Sequence, residues 1–131
     1  MTQLELALKV AWTYVGKFYK WGGDDPSGFD CSGLCIEILK SAGLLPRKFD
    51  TTAHGLSNKF NEVTKPVAGC LIFWGSPRIT HVEFCIDENH TIGASGGGSK
   101  TITEADAIRH NAYVKVRPIR EGYSKIVNPF I

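Results

Sequence analysis

The stretch Gly23–Gly33 reads GDDPSGFDCSG, and it sets Cys31 directly after Asp30 at the head of an apolar segment. Turn-forming residues lead up to it, an approach that a buried structural thiol does not need. A cysteine in the first turn of a helix meets unpaired N–H groups and the positive end of the helix dipole, and both favour a thiolate. Its expected pKa therefore lies below that of free cysteine, and the same N–H groups can hold an oxyanion. The glycines let a substrate backbone approach without meeting side chains. The charge of Asp30 opposes a thiolate, so Asp30 needs another task, either capping the helix or gripping a substrate amine.

A thiolate nucleophile calls for an imidazole that takes its proton and returns it to the leaving amine. Of the four histidines, His54 lies in a polar segment, His90 at a turn exit and His110 ahead of the last strand. His81 opens an apolar strand, at a rim where a side chain can face a cleft. Alternation puts His81, Glu83 and Cys85 on one face of that strand and Val82, Phe84 and Ile86 on the other. Rival chemistries have weaker support. Cys31 and Cys35 stand four apart as zinc ligands would, but no CxxC or HExxH spacing accompanies them. Cys35, Cys70 and Cys85 sit in apolar runs and read as reduced core thiols. The GGGS run lacks the GK[ST] ending of a phosphate loop and reads as a flexible hairpin.

The elements that must position these groups follow from periodicity. Leu4, Ala7, Leu8, Ala11, Trp12 and Val15 recur at helical spacing, Thr2 and Glu5 fit a capping box, and Gly16 is a stop, which predicts a helix over 3–15. Residues 17–30 read as a loop. A second helix is predicted over 31–42, with Leu34, Cys35, Ile38, Leu39 and Ala42 as its buried stripe, ended by Gly43 and Pro46. A weaker helical piece is expected near 51–60. Runs at 70–74, 81–86, 90–95 and 112–119 read as strands. Helices followed by a strand meander predict a single α+β domain over 1–131, with an antiparallel sheet.

The chain has 131 residues, is 43% hydrophobic and carries a formal charge of +2, enough for one core and too little for two domains. Its basic residues are scattered, which argues against a nucleic-acid footprint. No run approaches the length of a membrane span, and the N-terminus lacks the basic region of a signal peptide. Synthesis in the cytoplasm without membrane insertion is the expectation.

The segments GKFYKWGGDDPSGFDCSGL (16–34), THVEFCID (80–87) and TIGAS (91–95) resemble the NlpC-type cysteine peptidases, bacterial and phage cell-wall enzymes with a compact papain-like fold. The resemblance runs from about Trp12 to Ala112. It implies helices packed on a central antiparallel sheet, with Cys31 as nucleophile at a helix start and His81 as base. It also implies Tyr19 as a cleft residue assisting the oxyanion, and Asp30 and Ser32 as contacts to the free end of a peptidoglycan stem peptide. The implied reaction is hydrolysis of the γ-D-glutamyl–diamino acid bond through a thioester, with no cofactor. Phage tail or lysis proteins are the expected delivery partners, and recycling of wall peptides in the cytoplasm comes second. A non-catalytic wall-binding or virion module and a thioester acyltransferase are the rivals.

Three positions depart from the family pattern. Gly93 stands twelve residues after His81, where a polar side chain is usual, Glu83 replaces a glycine, and Cys70 replaces an aspartate. Glu83 is the nearest same-face candidate to orient His81, but residues two apart on a strand are separated by about 6.6–6.8 Å. Ser95 faces a similar gap. The expected partner of His81 is therefore a water or main-chain carbonyl in the space left by Gly93, with Glu83 as substitute. On that reading Gly93→His raises kcat.

Overall fold

A computed structural model of the chain describes residues 1–25 and 28–131; Pro26 and Ser27, part of the loop expected over 17–30, lie outside the described residues. The elements in order are α1 (Gln3–Thr13), β1 (Asp24–Asp25), β2 (Gly28–Phe29), α2 (Cys31–Ser41), α3 (Ala53–Ser57), β3 (Asn61–Glu62), β4 (Leu71–Trp74), β5 (His81–Cys85), β6 (His90–Ser95), α4 (Glu104–His110), β7 (Tyr113–Pro118) and β8 (Lys125–Asn128).

Both long helices start where their caps direct. The Thr2 hydroxyl accepts the N–H of Glu5, and the Asp30 carboxylate accepts the N–H of Gly33, each satisfying a donor that the helix leaves open. Gly43 ends α2 at φ +83°, where a side chain would be strained. The predicted stripe of α2 is buried, together with Ile36 beside it. Enclosing an isoleucine or leucine side chain contributes about 1.5–3 kcal/mol, and four such residues (Leu34, Ile36, Ile38, Leu39) anchor this helix. Helix α1 is narrower than its periodicity suggested. Ala7 and Ala11 are enclosed, but Trp12 sits on the solvent side of the helix and Val15 lies beyond its end at Thr13.

Six strands form one sheet in the order β3-β8-β4-β5-β6-β7, and every pairing is antiparallel. One face packs Leu71, Phe73, Val82, Phe84, Ile92 and Val114 against the helices. The other gathers Cys70, Ile72, Cys85 and Ile126 into a smaller cluster. All four cysteines are free thiols, and Cys35, Cys70 and Cys85 are enclosed as expected of core residues.

Five elements went unanticipated: β1, β2, β3, β8 and α4. The 17–30 segment carries the antiparallel pair β1–β2, and β8 slots between β3 and β4. Helix α4 is announced by a capping box of Thr103 and Asp106 but buries only Ala107, so it has no apolar stripe. The GGGS run is not a hairpin. It bends between β6 and α4, and Gly97 lies so close to Tyr19 that an added Cβ would come within 2.2 Å of the phenol ring. Among the described residues no helix is long and apolar enough to cross a membrane.

Candidate active site

Helix α2 begins in the wall of a cleft of about 660 Å³, and Tyr19, Asp30, Cys31 and Ser32 all line it. The far wall is the 78–80 loop. His54, set aside on sequence grounds, holds that wall, because its Nδ1 accepts the N–H of Ile79 at 3.1 Å. The backbone N–H of Val82 faces the Cys31 sulfur and favours its thiolate, which sets the first residue of α2 beside the strand position next to His81. Thr80 borders both this cleft and an adjoining cavity of about 370 Å³ that His81 lines.

Asp30 spends its carboxylate on local structure. Oδ1 accepts the N–H of Gly33 at 2.6 Å and the Ser32 hydroxyl at 3.3 Å, while Oδ2 accepts the N–H of Gly22 at 3.2 Å. Helix capping, one of the two tasks expected of it, is thus what the carboxylate does. Burial pushes the Asp30 carboxyl up in spite of those N–H donors. Burial also raises the Tyr19 phenol, reinforced by the charges of Cys31 and Asp30, so the hydroxyl stays protonated and able to donate.

Cys31 departs from expectation. Burial pushes its thiol up to about 11, and the nearby Asp30 charge adds to this, outweighing the N–H groups of Val82, Ser32 and Cys31 itself. Desolvation of a half-buried sulfur wins over the helix dipole. Cys31 is still the least enclosed of the four thiols. Iodoacetamide should therefore modify it first, yet more slowly than free cysteine at pH 7, with a rate that climbs as pH rises toward 11. Peptide mapping across a pH series checks both points. Prior labelling of Cys35, Cys70 or Cys85 would contradict the exposure order, and a Cys31 rate at pH 7 above that of free cysteine would contradict the raised pKa.

The orientation of His81 overturns another expectation. Its Nε2 lies 2.7 Å from Glu83 Oε2, so a side chain, rather than a water or a carbonyl, meets the ring. The two side chains lean together along β5 and close the gap that backbone spacing leaves. Gly93 is the reason they can. A Cβ at Gly93 would come within 2.5 Å of Glu83 Cγ and 2.8 Å of Cδ, so the Glu83 side chain fills the space that this glycine vacates. The expectation that Gly93→His raises kcat is therefore withdrawn. The hydroxyl of Ser95, the other candidate, has no hydrogen-bond partner.

Glu83 is fully enclosed and heavily bonded. Oε1 accepts the Thr91 hydroxyl at 2.6 Å, and Oε2 also accepts from Arg117 and, at 3.3 Å, from Arg120. Burial alone would push this carboxyl up; the hydrogen bonds from His81, Arg117 and Thr91 outweigh it and hold the pKa at about 2. An ionised carboxylate only accepts, so Nε2 of His81 is the nitrogen that donates to Glu83, and in the neutral ring Nδ1 is the atom that bears the lone pair. Periodicity could not point to Thr91, Arg117 or Arg120, which belong to neighbouring strands and the segment after β7. Among the described residues no group of three or more His, Cys, Asp and Glu side chains is placed to hold a metal ion.

The family model described as NlpC/P60 family matches residues 16–125. The chain is 33% identical over 99 residues to the bifunctional muramidase/DL-endopeptidase CwlT of Bacillus subtilis, covering 72% of this chain and 30% of that protein. It is 36% identical over 89 residues to Protein P54 of Enterococcus faecium, covering 67% of this chain and 16% of that one. The chain thus spans less than a third of the length of these relatives. Among solved structures, the NlpC/p60 domain of peptidoglycan hydrolase SagA superposes with a TM-score of 0.73 at 28% identity, over 95% of this chain and 97% of that domain. The peptidoglycan hydrolase RipB of Mycobacterium tuberculosis, at 24% identity and a TM-score of 0.77, shares the fold over 97% of this chain and 64% of that one. The compact papain-like α+β architecture, the aligned span and these relatives lead to one conclusion: the chain belongs to the NlpC/P60 family.

Proposed function

We propose that the chain is a cysteine endopeptidase of peptidoglycan stem peptides, with Cys31 as nucleophile, His81 as acid–base and Glu83 as the residue that orients His81. The observation that carries this reading is the 2.7 Å contact between His81 Nε2 and a buried, ionised Glu83, which leaves Nδ1 of the neutral ring as the basic nitrogen, one residue from the Val82 N–H that faces the Cys31 sulfur.

The raised thiol pKa sets the order of events. At rest Cys31 is neutral, and its proton passes to Nδ1 of His81 as the sulfur attacks the scissile carbonyl. The imidazolium that forms is stabilised by the Glu83 carboxylate. The oxyanion is held by the N–H groups at the start of α2 and by the protonated Tyr19 hydroxyl. Collapse of the tetrahedral intermediate breaks the C–N bond, and the leaving amine takes the proton from His81. Water, deprotonated by the same nitrogen, then hydrolyses the thioester and frees the thiol. Asp30 and Ser32 line the cleft beside the nucleophile, consistent with a subsite for the free amino end of the peptide. The γ-D-glutamyl–diamino acid bond is the proposed scissile bond.

Digestion of defined muropeptides, with product masses recorded, tests the proposal. The expected products are split after γ-D-glutamate with gain of one water. Products joined to an added amine instead would identify an acyltransferase, and intact substrate would remove the peptidase reading.

A further inference from the structure

The GGGS run, residues 96–99, has no part in the mechanism above, yet its glycines are not interchangeable. Gly96 takes φ +91°, and a Cβ there would stand 2.9 Å from the Asn111 carbonyl oxygen. Gly97 and Gly98 lie outside the left-handed region, so their backbones would admit a side chain. What excludes one at Gly97 is Tyr19. A Cβ would come within 2.2 Å of Cδ1, 2.5 Å of Cγ and 2.7 Å of Cε1 of that ring. At Gly98 a Cβ would meet nothing within 4 Å. Of the three glycines, the middle one makes the room that the phenol ring occupies.

Both sides of this contact are held. Tyr19 is 6% exposed, and its N–H donates to the Ala112 carbonyl at 3.2 Å, while the N–H of Lys20 donates to the Phe29 carbonyl at 2.9 Å. The loop is pinned at each end. Gly96 lies against Asn111 and Ala112. Thr101, fully enclosed, accepts the N–H of Trp21 on its carbonyl at 2.7 Å. Its hydroxyl accepts the N–H of Gly98 at 3.1 Å and lies 2.9 Å from Nδ1 of His110, a histidine that the chemistry leaves unused. With the loop and the Tyr19 backbone fixed, relief of a contact at Gly97 falls on the ring. Cγ is the root of that ring, so turning the ring about its own axis does not clear it. The side chain must swing about its Cα–Cβ bond, and the hydroxyl at the far end then moves furthest.

We propose that Gly97 is a positioning residue for the reaction and acts through Tyr19, with the 96–101 loop backing the phenol ring and aiming its hydroxyl into the cleft. This rests on the peptidase reading above, in which that hydroxyl donates to the oxyanion. Tyr19 lines the cleft together with Cys31, so a swing of its ring is felt at the reacting carbonyl. Removing one oxyanion donor costs about 10²–10³ in kcat. A misplacement of about 1 Å costs up to about a hundredfold, and it acts on the transition state more than on substrate binding.

Steady-state kinetics on L-alanyl-γ-D-glutamyl-L-lysine or its diaminopimelate counterpart, whichever the wild type cleaves faster, tests the proposal. Gly97→Ala is expected to lower kcat by about tenfold or more, with KM changed less than about threefold. Gly98→Ala should stay within about twofold of the wild type. In the Tyr19→Phe background the ring remains but the hydroxyl is gone, and there Gly97→Ala should cost less than about twofold further. A merely loosened loop would lower kcat by the same factor in both backgrounds. A smaller loss in Gly97→Ala, or one as large without the hydroxyl as with it, overturns the proposal while the peptidase reading stands. If Gly97→Ala does not fold, the same comparison is made with Thr101→Val, which cuts the hydroxyl anchor of the loop, and with Thr101→Ser, which should restore activity. If the wild type cleaves neither peptide, the peptidase reading falls. Then, or if Tyr19→Phe is too slow to compare, the ¹³Cζ resonance of Tyr19, assigned by its loss in Tyr19→Phe, decides. A shift of that resonance in Gly97→Ala but not in Gly98→Ala sustains the positioning of the phenol, and an unmoved resonance overturns it.

Discussion

Replacing Cys31 by alanine is expected to abolish hydrolysis of stem peptides, a loss of at least about 10⁴-fold, as removal of a covalent nucleophile does elsewhere. The fold should not suffer. Position 31 is the first residue of α2, alanine is the best helix former, and the cap that starts the helix belongs to Asp30 rather than to the thiol. The sulfur meets only the weak influence of backbone N–H groups, those of Val82, Ser32 and its own residue, whose loss costs little at a half-buried site. Circular dichroism should match the wild type and Tm should stay within a few degrees, while mass spectrometry shows uncleaved muropeptide. A folded Cys31→Ala protein that still releases the same products would take the nucleophile away from Cys31.

The second large effect belongs to the pair Glu83 and Gly93. Glu83→Gln is expected to lower kcat by about a thousandfold, roughly 4 kcal/mol of barrier. A glutamine keeps the shape and can accept from Nε2, but it brings no charge to stabilise the imidazolium and leaves Arg117 and Arg120 without a counter-ion. Gly93→His should also reduce activity, because its Cβ would stand 2.5 Å from Glu83 Cγ and push that side chain off the ring. Overpacking of this kind costs about 1–3 kcal/mol, so Tm should fall as well. The exchange Glu83→Gly/Gly93→His moves the orienting side chain to the neighbouring strand, where the family resemblance places it. It is expected to recover at least about tenfold over the weaker single variant, a coupling that only residues in contact show. Activity measured beside thermal melts separates orientation from folding. A Gly93→His protein with raised kcat, or a double variant no better than the two losses combined, would refute the pairing.

Much of this site is local in origin and legible along the chain. The cap at Asp30, the apolar stripe of α2 and the alternation of β5 each depend on residues within a few positions, so periodicity was enough to put Cys31 at a helix start and His81 at a strand start. The same alternation put Glu83 on the face of His81. Helix α4 had a local signal too, in Thr103 and Asp106, but with Ala107 alone enclosed there was no stripe to reveal it. β8 had no such signal. Its four residues become a central strand only because β3 and β4 leave an unpaired edge on either side of it.

What tertiary structure decided is which groups fill the same space. The register that pairs Phe84 with Ile92 brings Gly93 alongside Glu83, and only then does a missing side chain on β6 become room for a carboxylate on β5. Arg117, from a strand more than thirty residues away, then keeps that carboxylate charged. Burial of Cys31 works in the same way. The helix dipole is a property of α2 and can be read from the sequence, whereas the desolvation that overrides it is imposed by the strand and loops that close over the sulfur. Caps, stripes and alternation are set by neighbours in sequence. Desolvation, vacated volume and charge pairing are set by neighbours in space, and those exist only once the sheet has chosen its order.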